Sequence, residues 1–142
     1  MKLVIAALFS LLCTLPAAAD DTRGIDQEAL LARMAQHQQD LVILDVRTPE
    51  EFAAGHIPGA LNIPHDQLAT RLGELESAKS REIVVYCRTG RRSNLALQIL
   101  QENGFKQLSH LEGDMVAWQA QKRPVETGAA ETKPAEPGPG PR

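Results

Sequence analysis

The side chains best suited to chemistry lie in one short loop that begins at Cys87. An apolar run over residues 83–86 ends at this cysteine, and Ser93 closes the loop. Between them stand three cations and two neutral residues, Arg88, Thr89, Gly90, Arg91 and Arg92. A thiol surrounded by positive charge is suited to nucleophilic attack on an anionic substrate. Cys87 is therefore the candidate catalytic residue, and residues 88–93 are the candidate substrate-binding residues.

Three effects favour the thiolate form of Cys87. The apolar residues after the loop have the spacing of one helix face, Leu95, Ala96, Ile99 and Leu100. The loop thus precedes a helix, whose first turn presents unpaired N–H groups and partial positive charge. A tight turn at Gly90 can point backbone N–H groups at an anion, and the arginines add full charges. The alternative is a structural cysteine, which prefers apolar burial to such a basic loop.

Strand and helix patterns alternate along the chain. Four segments have strand character, residues 41–44, 60–63, 83–86 and 106–111. Five helices are predicted: about 27–38 behind an Asp26 cap, 49–54 behind a Thr48–Glu51 capping box, one from 64 with Leu68, Leu72 and Leu75 inward, 94–103, and a last one carrying Val116 and Trp118. This alternation predicts an α/β fold with a parallel, doubly wound sheet.

Both ends of the chain are expected to lie outside this fold. Residues 1–19 have a basic start, an apolar run and small residues before Asp20, which is the pattern of a cleaved secretory signal peptide. The apolar run is shorter than the roughly 20 residues that span a bilayer, so no stable membrane insertion is expected. Residues 126–142 are rich in proline and lack large apolar side chains, which predicts a disordered tail. The folded domain is then residues 20–125.

Composition narrows the function classes. The formal charge of −3 argues against a general surface that binds nucleic acid, so the basic loop is a local feature. The four histidines and two cysteines have no zinc-site spacing, and we expect no metal. Removal of residues 1–19 would take Cys13 away and leave Cys87 as the lone thiol of an exported protein. A disulfide oxidoreductase with a C-x-x-C pair is thereby set aside.

Four segments, taken together and in this order, resemble the rhodanese domain. They are residues 44–52, 55–64, 85–93 and 111–118, and the resemblance extends over about residues 25–125. The C-x-x-G-R-x-S loop and the export signal are most similar to the small periplasmic thiosulfate sulfurtransferases of the phage-shock type. One departure is Asp114, which stands where relatives often carry a second glycine; we expect it to alter the turn before the last helix without touching the loop.

The resemblance implies a fold and a reaction. The fold is a single domain with helices on both faces of a parallel sheet. Cys87 takes a sulfane sulfur from thiosulfate or a similar donor, sulfite leaves, and the persulfide passes its sulfur to cyanide or a thiol. No cofactor is required. Asp45 and Arg47 are supporting site residues, either catalytic or, as we favour, paired structurally near the strand end. His56 and His65 are expected to fix turns or to be exposed.

Two other functions use the same nucleophile. A cysteine phosphatase or arsenate reductase closes its loop with an arginine after about five intervening residues, which surround a tetrahedral oxyanion. Here four residues separate Cys87 from Arg92, so the cradle is smaller. A partner-dependent persulfide carrier or redox-sensing binding module would keep the same loop, and its partner would leave no mark in the sequence.

Overall fold

Five parallel strands form one sheet in the computed structural model, which describes residues 22–36 and 39–129. The strands are β1 (Arg23–Ile25), β2 (Leu41–Asp45), β3 (Leu61–Asn62), β4 (Glu82–Tyr86) and β5 (Leu108–Leu111). Their order across the sheet is β1-β5-β4-β2-β3. β4 therefore lies at the centre, and its carboxyl end delivers Cys87 to the edge where parallel sheets place their sites.

Helices cover both faces of the sheet, as the sequence predicts. They are α1 (Gln27–Ala35), α2 (Pro49–Ala54), α3 (Leu68–Arg71), α4 (Arg91–Glu102) and α5 (Asp114–Ala120), with a 3₁₀ helix over Leu72–Ala78. Alternate residues of β4 enter opposite cores because side chains alternate along a strand. Ile83 and Val85 pack on the side of α3, the 3₁₀ helix and α4, whereas Val84 and Tyr86 pack on the side of α1, α2 and α5.

The helix after the Cys87 loop is rotated relative to our prediction. α4 begins at Arg91, three residues before the predicted start, and its buried residues are Ser93, Ala96, Leu97 and Leu100. Leu95 was predicted to face the core but is 45% exposed. The buried face includes Leu97 and also Ser93, whose hydroxyl donates to Asp114, and this orientation turns position 95 away from the sheet.

Other boundaries also differ from the sequence prediction. α1 ends at Ala35, and residues 37–38 lie outside the described part of the chain. The helix predicted from residue 64 is a single α turn at Leu68–Arg71 followed by the 3₁₀ helix, although Leu68 and Leu75 are buried as expected. β5 starts two residues later than predicted. β1 was not predicted, because three residues are too few to show an alternating pattern.

The predicted caps are confirmed. Asp26 accepts the N–H of Ala29 at the start of α1. Thr48 and Glu51 form the reciprocal capping box of α2, with Pro49 in its first turn. Trp118 is fully buried, as the core prediction required, and its Nε1–H donates to the Pro124 carbonyl. These local signals were readable because each acts within a few residues.

The chain end is ordered further than predicted. Glu126, placed in the tail by the sequence, exchanges two backbone hydrogen bonds of 2.9 Å with His56. Gly128 N–H donates to the Ala53 carbonyl. The rest of the predicted tail from residue 130, and the predicted signal peptide, lie outside the described residues. Over residues 22–36 and 39–129, the helices are too short or too polar to cross a membrane.

The orientation of α4 predicts that alanine substitutions at two of its leucines lower the free energy of unfolding by different amounts. Leu97→Ala should lower the free energy of unfolding by about 2–5 kcal/mol, because it removes a buried side chain from the core. Leu95→Ala should change it by less than about 0.5 kcal/mol, because this side chain is largely exposed. Urea unfolding of the two variants measures the difference. Equal losses would contradict the orientation of α4.

Candidate active site

Cys87 lies at the carboxyl end of β4 and is almost wholly enclosed. Its side chain is 1% exposed and belongs to the core between the sheet and α4. The backbone N–H of Gly90 donates to Sγ over 3.0 Å. The loop thus turns a main-chain donor onto the sulfur, as the sequence predicted for a glycine-containing turn. It is the only cysteine among the described residues.

Gly90 is required at its position by both conformation and space. Its φ of +110° is in the region that disfavours other residues, and it caps the amino end of α4. A Cβ there would lie 3.1 Å from Oδ2 of Asp114 and 3.5 Å from Cε1 of His110. The loop backbone therefore approaches these two side chains closely.

The three loop arginines have different surroundings. Arg92 forms a two-point ion pair with Glu51 of α2, with N–O distances of 2.6 and 2.9 Å. The hydrogen bond from Arg92 lowers the pKa of Glu51 to about 2. The same bond raises the pKa of Arg92, and interaction with Cys87 contributes in the same direction. Arg92 therefore bridges α2 and the region of the sulfur.

Arg88 and Arg91 are exposed. Within the described part of the chain, neither side chain forms a hydrogen bond or an ion pair. Thr89 is also exposed, so it accompanies them on the outer side of the loop. These two charges are thus available to an anion arriving from solvent.

The side chain of Ser93 is not accessible to solvent. It is fully buried, and its hydroxyl donates to Oδ1 of Asp114 over 3.0 Å. Its placement suits it to hold the start of α4 against α5. Contact with a substrate, which its place in the loop motif had suggested, would require this bond to break.

Asp45 and Arg47 form a buried pair at the end of β2. Arg47 Nη2 lies 2.6 Å from Asp45 Oδ2, and the same nitrogen donates to the Gly55 carbonyl over 2.8 Å. Asn62 of β3 donates to the backbone carbonyls of both Asp45 and Arg47. Burial opposes the charge of Arg47, but the hydrogen bond to Asp45 raises its pKa. The pair joins β2 to the turn after α2 and to β3, which is the structural arrangement that we favoured.

The aromatic residue before the nucleophile joins the same framework. The Tyr86 hydroxyl accepts the Ile57 N–H over 3.1 Å, and the Arg47 guanidinium lies 5.7 Å from the ring centre. Burial raises the pKa of Tyr86, so it remains a neutral phenol. His56 stacks on Phe52, and its Nδ1 is 2.8 Å from the Phe52 carbonyl, which fixes the turn after α2.

Our expectation that Asp114 does not touch the loop is wrong. Its Oδ1 accepts the backbone N–H of Cys87 over 2.9 Å as well as the Ser93 hydroxyl. Its Oδ2 lies 3.0 Å from Nε2 of His110. Asp114 is 2% exposed. Its buried carboxylate therefore lies directly behind the Cys87 backbone. The error arose because the sequence separates the two residues by a whole helix and strand.

His110 was not singled out from the sequence. It lies in β5, four residues before Asp114, with a side chain that is 26% exposed. The only signal available was the H-x-x-x-D spacing across the strand–helix turn, which has no meaning until that turn is known. Over residues 22–36 and 39–129, no group of three or more histidine, cysteine or acidic side chains is arranged to hold a metal ion.

This geometry supports nucleophilic chemistry at sulfur. The Cys87 sulfur receives a main-chain hydrogen bond, and the Cys87 N–H is bound to the Asp114 carboxylate. Two cations that pair with no described residue, Arg88 and Arg91, border the loop. Such donors can hold an anion and stabilise negative charge that develops on a second sulfur atom.

Comparison with known proteins agrees with this arrangement. The rhodanese-like domain model matches residues 26–121. A sulfurtransferase of Allochromatium vinosum is 38% identical over 101 residues, covering 71% of this chain and 92% of the relative. The chain spans only half of the length, or less, of several longer relatives that it matches.

Solved structures are also similar to this chain. The Alr3790 protein of Anabaena sp. is 34% identical with a TM-score of 0.67, covering 73% of this chain and 82% of that one. A thiosulfate sulfurtransferase of Pseudomonas aeruginosa is 25% identical with a TM-score of 0.67, covering 79% of this chain and 21% of that one. Since the family model spans most of the chain and the Allochromatium relative is matched over nearly its full length, this protein belongs to the rhodanese-like domain family.

Proposed function

We propose that this protein is a thiosulfate sulfurtransferase in which Cys87 carries the sulfur as a persulfide. The observation that carries the proposal is the hydrogen bond from Gly90 N–H to Sγ, at a loop bordered by two cations that have no partner over residues 22–36 and 39–129. The Allochromatium relative is named a sulfurtransferase, and the Pseudomonas structure is named a thiosulfate sulfurtransferase. Both names support the same chemistry.

The reaction proceeds in two balanced displacements at sulfur. The Cys87 thiolate attacks the outer sulfur of thiosulfate, a sulfur–sulfur bond forms, and the bond to the sulfonate sulfur breaks with release of sulfite. The enzyme then holds Cys–S–S⁻. Cyanide or a thiolate attacks the terminal sulfur, which leaves as thiocyanate or as the acceptor's persulfide, and the Cys87 thiolate is restored. No net electron source is needed, and loop N–H groups stabilise the charge of the intermediate.

The exposed cations supply donor binding. Thiosulfate carries two negative charges, and Arg88 and Arg91 have no partner within the described part of the chain. Arg92 is already paired with Glu51 and contributes less free charge to the donor. Arg88 and Arg91 thus bind the donor, whereas Arg92 supports the loop.

Export to the periplasm, as in the phage-shock type that the sequence resembles, is the second part of the proposal. It is supported by Lys2, the apolar run behind it and the small residues that end at Ala19. Cleavage there leaves Cys87 as the only cysteine of the mature chain.

Persulfide formation is tested by intact mass. The purified protein should gain about 32 Da, one sulfur atom, on incubation with thiosulfate, and cyanide should remove it. Cys87→Ser should show no gain while its melting temperature stays close to that of the wild type. A gain in the serine variant would contradict the role of Cys87. Absence of a gain in the wild type, with phosphate release from an aryl phosphate, would favour the phosphatase alternative; absence of both would favour the partner-dependent carrier.

Donor capture is tested by a matched pair of charge deletions. Arg91→Ala should raise the KM for thiosulfate about tenfold, because one charge-assisted contact is lost, with little change in melting temperature. Lys106→Ala removes an exposed cation at the amino-terminal edge of the sheet, away from Cys87, and should leave the KM unchanged. Equal effects of the two deletions would mean that general charge, rather than the loop, binds the donor.

Export is tested by the mature N-terminus. Mass spectrometry of the periplasmic fraction of a Gram-negative host should find a protein that begins at Asp20. Ala19→Arg should block cleavage, because the position before the cut requires a small residue. A chain that begins at Met1 and stays in the cytoplasm would refute this part of the proposal.

A further inference from the structure

The carboxylate of Asp114 is the hydrogen-bond centre behind the loop. It accepts from the Cys87 backbone and the Ser93 hydroxyl through Oδ1, and it pairs with His110 through Oδ2. All three distances are between 2.9 and 3.0 Å. No step of the proposed reaction uses this cluster, although it touches the nucleophile's own backbone.

Asp114 occupies a backbone conformation that costs free energy. Its φ is +50°, and it follows Gly113 with a φ of +77°. A glycine would adopt this conformation freely, whereas an aspartate does so at a cost that surrounding contacts must offset. The three hydrogen bonds to a buried carboxylate are the contacts that do so here. The carboxylate is thus held at a site where backbone conformation alone favours glycine.

We propose that Asp114 and His110 are a positioning pair for sulfur transfer, in which Asp114 holds the Cys87 backbone and protonated His110 offsets the negative charge of Asp114 beside the sulfur. This inference rests on the proposed function for its rate consequences. Neither residue needs to touch the donor. His110 lies close to the loop, since a Cβ on Gly90 would be 3.5 Å from its Cε1.

The groups around His110 decide how it titrates. Asp114 faces it from α5, and Glu112 contributes from the turn between β5 and α5. Its partners in the neighbouring strands are Gly24 of β1 and Val85 of β4, which carry no charge. The hydrogen bond to Asp114 raises the pKa of His110 against the opposing effect of burial.

The pKa of the partner carboxyl group, Asp114, is shifted in the opposite direction. Burial would raise the pKa of Asp114, but hydrogen bonds from His110, the Cys87 N–H and Ser93 lower it. Below the raised pKa of His110, an ion pair with no net charge therefore lies behind the sulfur. When the pH rises through the raised pKa of His110, the imidazolium loses its proton and the Asp114 charge is no longer offset. That charge disfavours both the thiolate and an anionic donor.

The pair also has a stabilising effect with a defined pH window. Because the pKa of His110 is raised on folding, its contribution to stability is complete below its ordinary value of 6.5 and is lost as the pH rises through the folded value. This contribution and the rate effect should disappear over the same pH range.

The test is the rate of persulfide formation from thiosulfate as a function of pH in four proteins. His110→Gln should be roughly tenfold slower than the wild type below the pKa of His110, because one uncompensated charge remains near the sulfur. The ratio should approach one above that pKa. Adding Asp114→Asn to the His110→Gln variant should restore the rate, since asparagine keeps an acceptor for the Cys87 N–H without charge. His65→Gln, a matched histidine deletion, should keep the wild-type profile.

Two measurements stand apart from sulfur transfer. NMR titration of the wild-type histidines should place His110 above its ordinary pKa without any variant. Alkylation of Cys87 by iodoacetamide, a neutral reagent, should also be slower in His110→Gln than in the wild type below the pKa of His110, by a smaller factor because only the thiolate is affected. If thiosulfate adds no sulfur but both measurements behave as expected, the proposed function fails and the positioning pair stands. An ordinary pKa for His110, a pH-independent ratio, or no rescue by the double variant would overturn the pair.

Discussion

The backbone of Cys87 is held on both sides by the start of α5. Its N–H donates to the Asp114 carboxylate, and its carbonyl accepts the Met115 N–H over 3.0 Å. The next residue repeats the pattern, since the Arg88 carbonyl accepts the Val116 N–H. These bonds satisfy groups that leave the sheet where β4 ends, and they determine the direction in which the loop turns back to Sγ. The orientation of Cys87 therefore depends on a helix whose first residue lies 27 residues further along the chain.

The charges around this point form two layers. The inner layer is paired: Asp45 with Arg47, Glu51 with Arg92, and Asp114 with His110. Burial makes an unpaired charge costly, so each of these partners supports the framework. The outer layer consists of the exposed Arg88 and Arg91. In the reaction that we propose, a donor anion meets these two cations before it reaches the enclosed sulfur, and the enclosure excludes water from the persulfide.

Local patterns predicted most of the fold because they act over short distances. The caps at Asp26 and Thr48, the apolar strand before Cys87 and the buried Trp118 are all as expected. The predicted orientation of α4 was wrong because apolar periodicity did not reveal that a polar residue, Ser93, lies on the buried face, where Asp114 accepts its hydroxyl. The ordered contact of Glu126 with His56 was also missed, since a single backbone pair leaves no compositional signal.

What the sequence by itself determined is the chemistry of the loop: a thiol at the end of a buried strand, a glycine that permits the turn, and cations around it. Only the tertiary structure decided which loop arginines have a partner among the described residues, that Ser93 is buried, and that Asp114 holds the Cys87 backbone. The physical reason is distance along the chain. Loop chemistry arises from neighbours in sequence, whereas the partners of Arg92 and of the Cys87 N–H are 41 and 27 residues away. Such pairs meet only after the sheet has brought the strand ends together.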